Sequence, residues 1–209
     1  MSDASWPLNG DGVWCELLDQ SVASGRPALF LDRDGVVVEE VNYLHKAADV
    51  RLMPGISDLI AAANRAGSAV VVVTNQSGVG RGIYGWADFD AVQKQIAAEL
   101  KEAGATWNAV YASPFPPGDY PMRKPNPGML MAGAAAFGVD LRQSWILGDR
   151  ATDMEAGLRA GVAGGLFVGS GYEPGELETA LGHGNQEFVV ERIVTPADAL
   201  DRVPFLSRA

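Results

Sequence analysis

Cysteine is almost missing from this chain, which has one, Cys15, in 209 residues. A single thiol excludes an intramolecular disulfide and any zinc site built from several thiolates, and it suits a reducing compartment. Histidine is nearly as scarce, at two residues, His45 and His183. His183 reads as a solvated loop residue between two glycines, and His45 as a flap residue, not a catalytic base. Basic residues are outnumbered, 16 against 26 acidic ones, for a net charge of −10. Nucleic acid and anionic membrane surfaces both call for a basic face, so neither is expected as a partner. A small anion remains compatible, because a few local cations or one metal ion override net charge. No apolar run approaches the roughly 20 residues of a membrane span. Residues 1–19 lack both the basic start and the apolar stretch of a secretory signal, so the expected location is the cytoplasm. The sequon Asn75-Gln76-Ser77 then carries no glycosylation meaning.

What the chain does have is an ordinary soluble composition, 47% hydrophobic and 20% charged, with 25 glycines and 12 prolines to make turns. Its length fits one domain plus extras. Residues 1–27 read as an irregular extension lying over the domain with Trp6 and Trp14 inward, and residues 28–209 as the domain itself. Ala28–Leu31 is a short apolar strand ending in Asp32-Arg33-Asp34-Gly35. Ile56, Leu59, Ile60 and Ala63 recur at helical spacing after the Pro54-Gly55 turn, and Gly67 ends that helix. Ala69–Val73 is apolar throughout, as a strand covered on both faces must be. A helix over about Trp86–Ala103 presents Phe89, Val92, Ile96 and Leu100 on one stripe. A strand near Ala109–Ala112, a proline-rich loop from Ser113 to Pro127 and a helix from Gly128 to Phe137 follow. Trp145–Leu147 is a strand, Ala151–Ala160 a helix, and strands near Leu166–Val168 and Phe188–Val190 precede a tail helix after Pro196. The alternation predicts a doubly wound, three-layer α/β domain of Rossmann type with a central parallel sheet and no large cap.

In open α/β sheets, ligands bind beyond the carboxyl ends of the strands. Those ends carry Asp32 and Asp34, then Thr74 and Asn75, then Asp149 with Asp153 one helical turn on. The proline-rich loop adds Arg123 and Lys124. Asp32 and Asp34 are two apart, so in extended backbone their side chains leave one face. Two close carboxylates repel, a divalent cation relieves them, and an oxygen-only ligand set points to Mg²⁺. A cation on Asp32 and Asp149 would neutralise an entering phosphate, while Lys124 and the Thr74 hydroxyl would hold further phosphoryl oxygens.

Each of these residues has a plain alternative. An Asp-x-Asp pair at a strand end is commonly turn chemistry, and a lysine before proline is commonly solvated. Their joint placement at successive strand ends is what favours a site. Gly80-x-Gly82-x-x-Gly85 matches a dinucleotide fingerprint by letter, but Thr74 to Val79 intervene between strand and glycines, where that fingerprint needs a direct turn. A phospho-acceptor receiver module also combines acidic residues, a threonine and a lysine. There, however, the lysine would come last, whereas Asp149 follows Lys124 here. A catalytically inactive sugar-phosphate binder is the other non-enzyme reading.

Four segments together resemble the haloacid dehalogenase-like phosphatases. Phe30-Leu31-Asp32-Arg33-Asp34-Gly35-Val36 resembles the first motif of that family and Val73-Thr74-Asn75-Gln76-Ser77-Gly78 the second. Arg123-Lys124-Pro125 resembles the third and Gly148-Asp149-Arg150-Ala151-Thr152-Asp153 the fourth. Asn42-Tyr43-Leu44-His45, Val79-Gly80-Arg81-Gly82 and Arg123 to Leu130 are similar to the subgroup of heptose bisphosphate and histidinol-phosphate phosphatases. The resemblance implies a Mg²⁺-dependent phosphomonoesterase acting on a small phosphorylated metabolite through an aspartyl-phosphate. It implies Asp32 as nucleophile and Asp34 as general acid and base. Mg²⁺ would sit on Asp32, the Asp34 main-chain carbonyl and Asp149, with Asp153 supporting it from the second layer. Thr74, Asn75 and Lys124 would hold phosphoryl oxygens, and Arg81 and Arg123 the rest of the substrate.

The subgroup often carries a Cys/His zinc site in the loop before the third motif. Here that loop, Ser113 to Met122, contains no such ligand, so no zinc is expected. Packing of Phe115, Tyr120 and Met122 is the expected replacement. Between Asp34 and Thr74 only a short flap and one helix fit, which leaves an open site closed by Val36 to Val50 and the loop before Arg123. Two extra arginines suit a polyol with a second anionic group better than the cationic amine of histidinol phosphate. The expectation is a heptose 1,7-bisphosphate 7-phosphatase, working as a monomer or weak homo-oligomer.

Overall fold

The computed structural model describes residues 6–206. Seven strands form one sheet: β1 (Trp14–Leu17), β2 (Ala28–Leu31), β3 (Ala69–Asn75), β4 (Ala109–Ser113), β5 (Trp145–Gly148), β6 (Gly164–Val168) and β7 (Val189–Ile193). Their spatial order is β1-β4-β3-β2-β5-β6-β7. All neighbours pair in parallel except β1, which runs antiparallel to β4 with Trp14 opposite Ala112 and Leu17 opposite Ala109.

The helices are α1 (Ile56–Arg65), α2 (Ser77–Gly80), α3 (Trp86–Glu102), α4 (Gly128–Phe137), α5 (Ala151–Ala160) and α6 (Glu176–Gly182). Side chains alternate across the strands as period-2 geometry requires, and two cores result. Leu29, Leu31, Val70, Val72, Val110 and Leu147 face the stripes of α1 and α3 (Ile56, Leu59, Ile60, Phe89, Val92, Ile96). Phe30, Val71, Val73, Tyr111, Ile146 and Phe167 face Met129, Leu130 and Phe137 of α4 and Met154 of α5. β2 lies between β3 and β5, so the aspartate that follows it stands at the middle of the sheet.

Of residues 1–27, read as irregular, 1–5 lie outside the described residues, and the remainder needs one correction. Trp14–Leu17 is an edge strand, and Trp14 is 1% exposed, packed edge-on to Phe89 with ring centroids 5.1 Å apart. Its pattern escapes period-2 reading because only one side of an edge strand is paired and only four residues take part. Two short helices, α2 and α6, were not foreseen, and the tail helix after Pro196 is a 3₁₀ turn over Pro196–Asp201.

No cap domain sits between β2 and β3. The segment after Asp32 folds back on itself: the Arg33 carbonyl accepts N–H groups from Val37 and Val38, and Val38 bridges Leu52. Val36, Val37 and Val38 are fully buried, which pins this flap to the α1 side of the sheet. No helix among the described residues is long and apolar enough to cross a membrane.

Candidate active site

The carboxyl ends of β2, β3 and β5 bring Asp32, Thr74 and Asp149 to one rim, and the loop before α4 drops Lys124 between them. Asp32, Asp149 and Asp153 are all buried, and each offers a carboxylate oxygen within 4.8 Å of those of the other two. Two glycines make the approach possible. A Cβ at Gly35, whose φ is 78°, would stand 1.9 Å from Asp149 Oδ2, and one at Gly148 would stand 2.1 Å from Asp153 Cβ. Neither contact is sterically tolerable, so both positions require the absence of a side chain.

Asp153 is held by the start of α5. Its Oδ2 accepts the Arg150 N–H at 3.0 Å, the reciprocal bond of a capping box, which turns Oδ1 inward. There the Lys124 ammonium lies 2.6 Å from Asp153 Oδ1 and 3.0 Å from Asp32 Oδ1. Burial works against the ammonium, but Asp153 and Asp32 outweigh it and push its pKa up to about 12. Burial raises the Asp32 carboxyl to about 6, with Asp153 and Asp34 adding to the effect and Lys124 opposing it. Asp149 is raised for the same first reason, burial, with Asp32 and Asp153 next. One lysine therefore serves three buried carboxylates. The surplus negative charge, the oxygen-only donors and their convergence fit a hard divalent cation such as Mg²⁺.

Asp34 is engaged on all sides. Arg33, 1% exposed, donates from Nε and Nη2 to the Asp34 carboxylate, with Nη2 2.9 Å from each oxygen, and its guanidinium lies 5.4 Å over the Phe89 ring. Gln76 Nε2 donates to Asp34 Oδ2 and to Thr74 Oγ1, both at 2.8 Å. Its Oε1 accepts the Tyr84 hydroxyl at 2.5 Å. Arg33, Gln76 and Tyr84 were not singled out in the sequence. Arg33 and Gln76 stand inside the first and second motifs, and their polarity next to buried positions is the signal that could have found them.

Asn75, expected at a phosphoryl oxygen, lines the cavity and binds the lysine beside it. Its Nδ2 donates to the Lys124 carbonyl at 3.0 Å and its Oδ1 accepts the Lys124 N–H at 3.2 Å, so both ends of the amide clamp the lysine's own main chain. Arg123 lines the cavity, half-buried, with Nη1 donating to the Phe115 carbonyl at 2.6 Å. Arg81 is not among the lining residues and reaches the rim through Tyr43, donating to its hydroxyl at 2.9 Å. In the Ser113–Met122 loop, which has neither Cys nor His, Phe115 and Tyr120 stack at 4.3 Å between centroids. The cavity over the site holds about 400 Å³ and is walled by the motif residues with Glu40, Tyr43, Arg150 and Glu176. Tyr172, also unforeseen, donates its hydroxyl to Asp149 Oδ2 at 2.6 Å.

Comparison with known proteins agrees with this geometry. Residues 121–195 match a family model described as HAD-hydrolase-like. A D-glycero-beta-D-manno-heptose-1,7-bisphosphate 7-phosphatase from Mesorhizobium japonicum is 44% identical over 171 residues, 78% of this chain and 79% of that protein. A D-glycero-D-manno-heptose-1,7-bisphosphate 7-phosphatase from Thermosynechococcus vestitus is 36% identical, covering 83% of this chain and 94% of its own. Among solved structures, a putative HAD-like phosphatase from Mesorhizobium loti superposes with a TM-score of 0.85 at 36% identity, over 97% of both chains. The D,D-heptose 1,7-bisphosphate phosphatase of B. bronchiseptica, complexed with magnesium and phosphate, gives 0.74 at 29% identity over 88% of this chain and 99% of that one. With its four motifs converging on one rim and relatives this similar, the chain belongs to the haloacid dehalogenase-like phosphatases.

Proposed function

We propose that this enzyme removes the C7 phosphate from a D-glycero-D-manno-heptose 1,7-bisphosphate. The observation that carries the phosphatase chemistry is the Lys124 ammonium set between Asp32 and Asp153 with Asp149 alongside, because it joins a nucleophile, a phosphate-holding cation and a Mg²⁺ site. Relatives named for this substrate, up to 44% identical, support the choice of sugar.

Asp32 and Asp149, with the Asp34 main-chain carbonyl, would hold Mg²⁺, and Asp153 would support it from the second layer. A cation held there would supply charge neutralisation for the phosphate. Asp32 attacks phosphorus in line and forms an aspartyl-phosphate as the P–O bond to the sugar breaks. Asp34 gives its proton to the departing C7 oxygen, exchanging a contact with Arg33 or Gln76 for one with the ester. It then takes a proton from water, whose oxygen attacks the phosphorus and frees Asp32 and inorganic phosphate. Lys124 and Thr74 hold the equatorial oxygens, since phosphoryl transfer is mostly positioning and charge stabilisation. Asn75 acts through Lys124 by fixing its main chain. Arg123, with Arg81 behind Tyr43, receives the second phosphate of the substrate.

The net charge of −10 supports an enzyme without nucleic-acid or anionic-membrane partners, and the proposal includes a cytoplasmic location and a monomer or weak homo-oligomer. The test is kcat/KM for both anomers of the heptose bisphosphate beside histidinol phosphate and common hexose phosphates. The heptose compound should lead by tenfold or more, about 1.4 kcal/mol in transition-state binding. The reverse order would leave a phosphatase with a different substrate.

A further inference from the structure

Gln76 follows β3 and is 2% exposed, yet its amide leaves neither polar atom idle. Nε2 donates to Asp34 Oδ2 and to Thr74 Oγ1, both at 2.8 Å, and Oε1 accepts the Tyr84 hydroxyl at 2.5 Å. The direction of the amide is fixed at both ends. The Asp34 oxygens already accept from the Arg33 guanidinium, so only an NH₂ suits that side, and Tyr84 must then donate to the amide carbonyl. Burial pushes the Tyr84 hydroxyl up to about 12, which keeps it a donor at neutral pH. The seat of Tyr84 is built as well. Its ring stacks on His45, with centroids 5.8 Å apart and planes 12° from parallel. A Cβ at Gly78 would stand 2.2 Å from Tyr84 Cε1, so the position two after Gln76 must be glycine to admit the ring.

The consequence falls on Thr74, which lines the cavity beside Asp34 and Gln76. A threonine hydroxyl has one hydrogen to give and room to accept another. Here Oγ1 accepts from Gln76, and its own hydrogen has no acceptor among the described residues. That hydrogen is left for a group entering the cavity. A reversed amide would turn its carbonyl to the same hydroxyl, draw the hydrogen inward and set a second acceptor against Asp34.

We propose that Gln76, with its amide turned by Tyr84, is a positioning residue for both ends of the reaction. One N–H holds the proton donor Asp34, and the other engages the Thr74 oxygen so that Thr74 presents its hydrogen to the phosphoryl group. A single side chain thereby sets the group that serves the leaving oxygen and the group that serves the phosphate. The inference rests on the phosphatase reading and not on the identity of the sugar.

The experiment compares wild type with Gln76→Met, which keeps the length and removes both N–H groups, and with Tyr84→Phe, which keeps the ring and frees the amide to turn. It reads calorimetric binding of inorganic phosphate in the presence of Mg²⁺. It also reads kcat and KM on para-nitrophenyl phosphate and on a sugar phosphate that wild type hydrolyses. Gln76→Met should bind inorganic phosphate about fivefold more weakly, roughly one hydrogen bond's worth. It should lose about tenfold more kcat on the sugar phosphate than on the phenyl ester, because only the sugar oxygen needs a proton to leave. Tyr84→Phe should show both changes in smaller measure. In Thr74→Val, which has no hydroxyl to direct, adding Gln76→Met should cost no further phosphate affinity. Equal kcat losses on the two esters, unchanged phosphate binding, or phosphate losses that add in the double variant would overturn the proposal and leave Gln76 a packing residue. If Gln76→Met does not fold, Tyr84→Phe decides by the same two readings. A wild type that hydrolyses neither ester would overturn the phosphatase reading itself, whereas a wrong sugar assignment leaves these results unchanged.

Discussion

Arg33 holds the carboxylate of its own neighbour, Asp34, through two nitrogens, with Nη2 2.9 Å from each oxygen. The Arg33 side chain is 1% exposed, while the Asp34 side chain, which lines the cavity, is 21% exposed. A proton donor gripped in this way is fixed in place when no substrate is bound, and the ester must win it from Arg33 and Gln76.

Replacing Arg33 by methionine keeps most of the volume over Phe89 and removes the grip. Breaking a buried pair costs about 3–5 kcal/mol, and the partial exposure of Asp34 puts this one at the lower end of that range. Denaturant unfolding should show the loss, and adding Asp34→Asn to Arg33→Met should recover part of it. Additive losses in the double variant would show that the two residues do not act on one another.

Asp32→Asn should abolish turnover with the fold intact by circular dichroism, and a variant retaining a tenth of the wild-type rate would remove Asp32 from the role of nucleophile. Asp34→Asn should fail differently. Para-nitrophenyl phosphate releases a phenolate that leaves without protonation, so activity on it should survive far better than activity on a sugar phosphate.

Chelation should stop activity and Mg²⁺ restore it, and elemental analysis should find no stoichiometric zinc. Protons compete for the same oxygens. With Asp32 pushed up to about 6 by burial and its neighbours, apparent Mg²⁺ affinity should fall as pH drops below about 6. The sign for stability follows from the raised value. Between the ordinary carboxylate range near 4 and about 6, the folded metal-free chain binds this proton more readily than the unfolded one. Its stability from this group is therefore greatest at low pH and declines as pH rises through that window. Calorimetric melting with and without Mg²⁺ checks both, since the metal should flatten the decline.

Asn75→Ala separates two roles. If the amide clamps Lys124, the variant loses two hydrogen bonds at about 0.5–1.5 kcal/mol each, and both melting temperature and kcat fall. An amide serving phosphate alone would leave the melting temperature unchanged and raise KM.

The strand ends were legible because β2, β3 as far as Val73, and β5 are apolar runs, and polar residues come directly after each run: Asp32, Thr74 and Asp149. α4 and α5 were legible to the residue, bounded by Gly128 and Gly138 in one case and Gly161 in the other. The ring of groups around the catalytic residues was not. Gln76 has no spacing that announces a bridge between Asp34 and Thr74, and the bond from Tyr172 to Asp149 spans 23 positions of sequence. Asn75 was found, but its bonds to the Lys124 main chain were not legible, because a residue type reveals what an amide can bond and not which partner arrives first. Arg81 was legible as a cation near the site, yet its contact is with Tyr43 and not with the cavity.

The central position of β2 bears on how this enzyme gains its activity during refolding. Asp32 has its N–H bonded to the Leu147 carbonyl at 2.9 Å, and it meets Lys124 and Asp153 across long stretches of chain. No single strand or helix contains a working pair. Contacts of such large sequence separation form slowly, and here they form only once β2 has docked between β3 and β5. Recovery of phosphatase activity therefore times completion of the sheet's centre, and helix content regained earlier on the reaction coordinate should precede it.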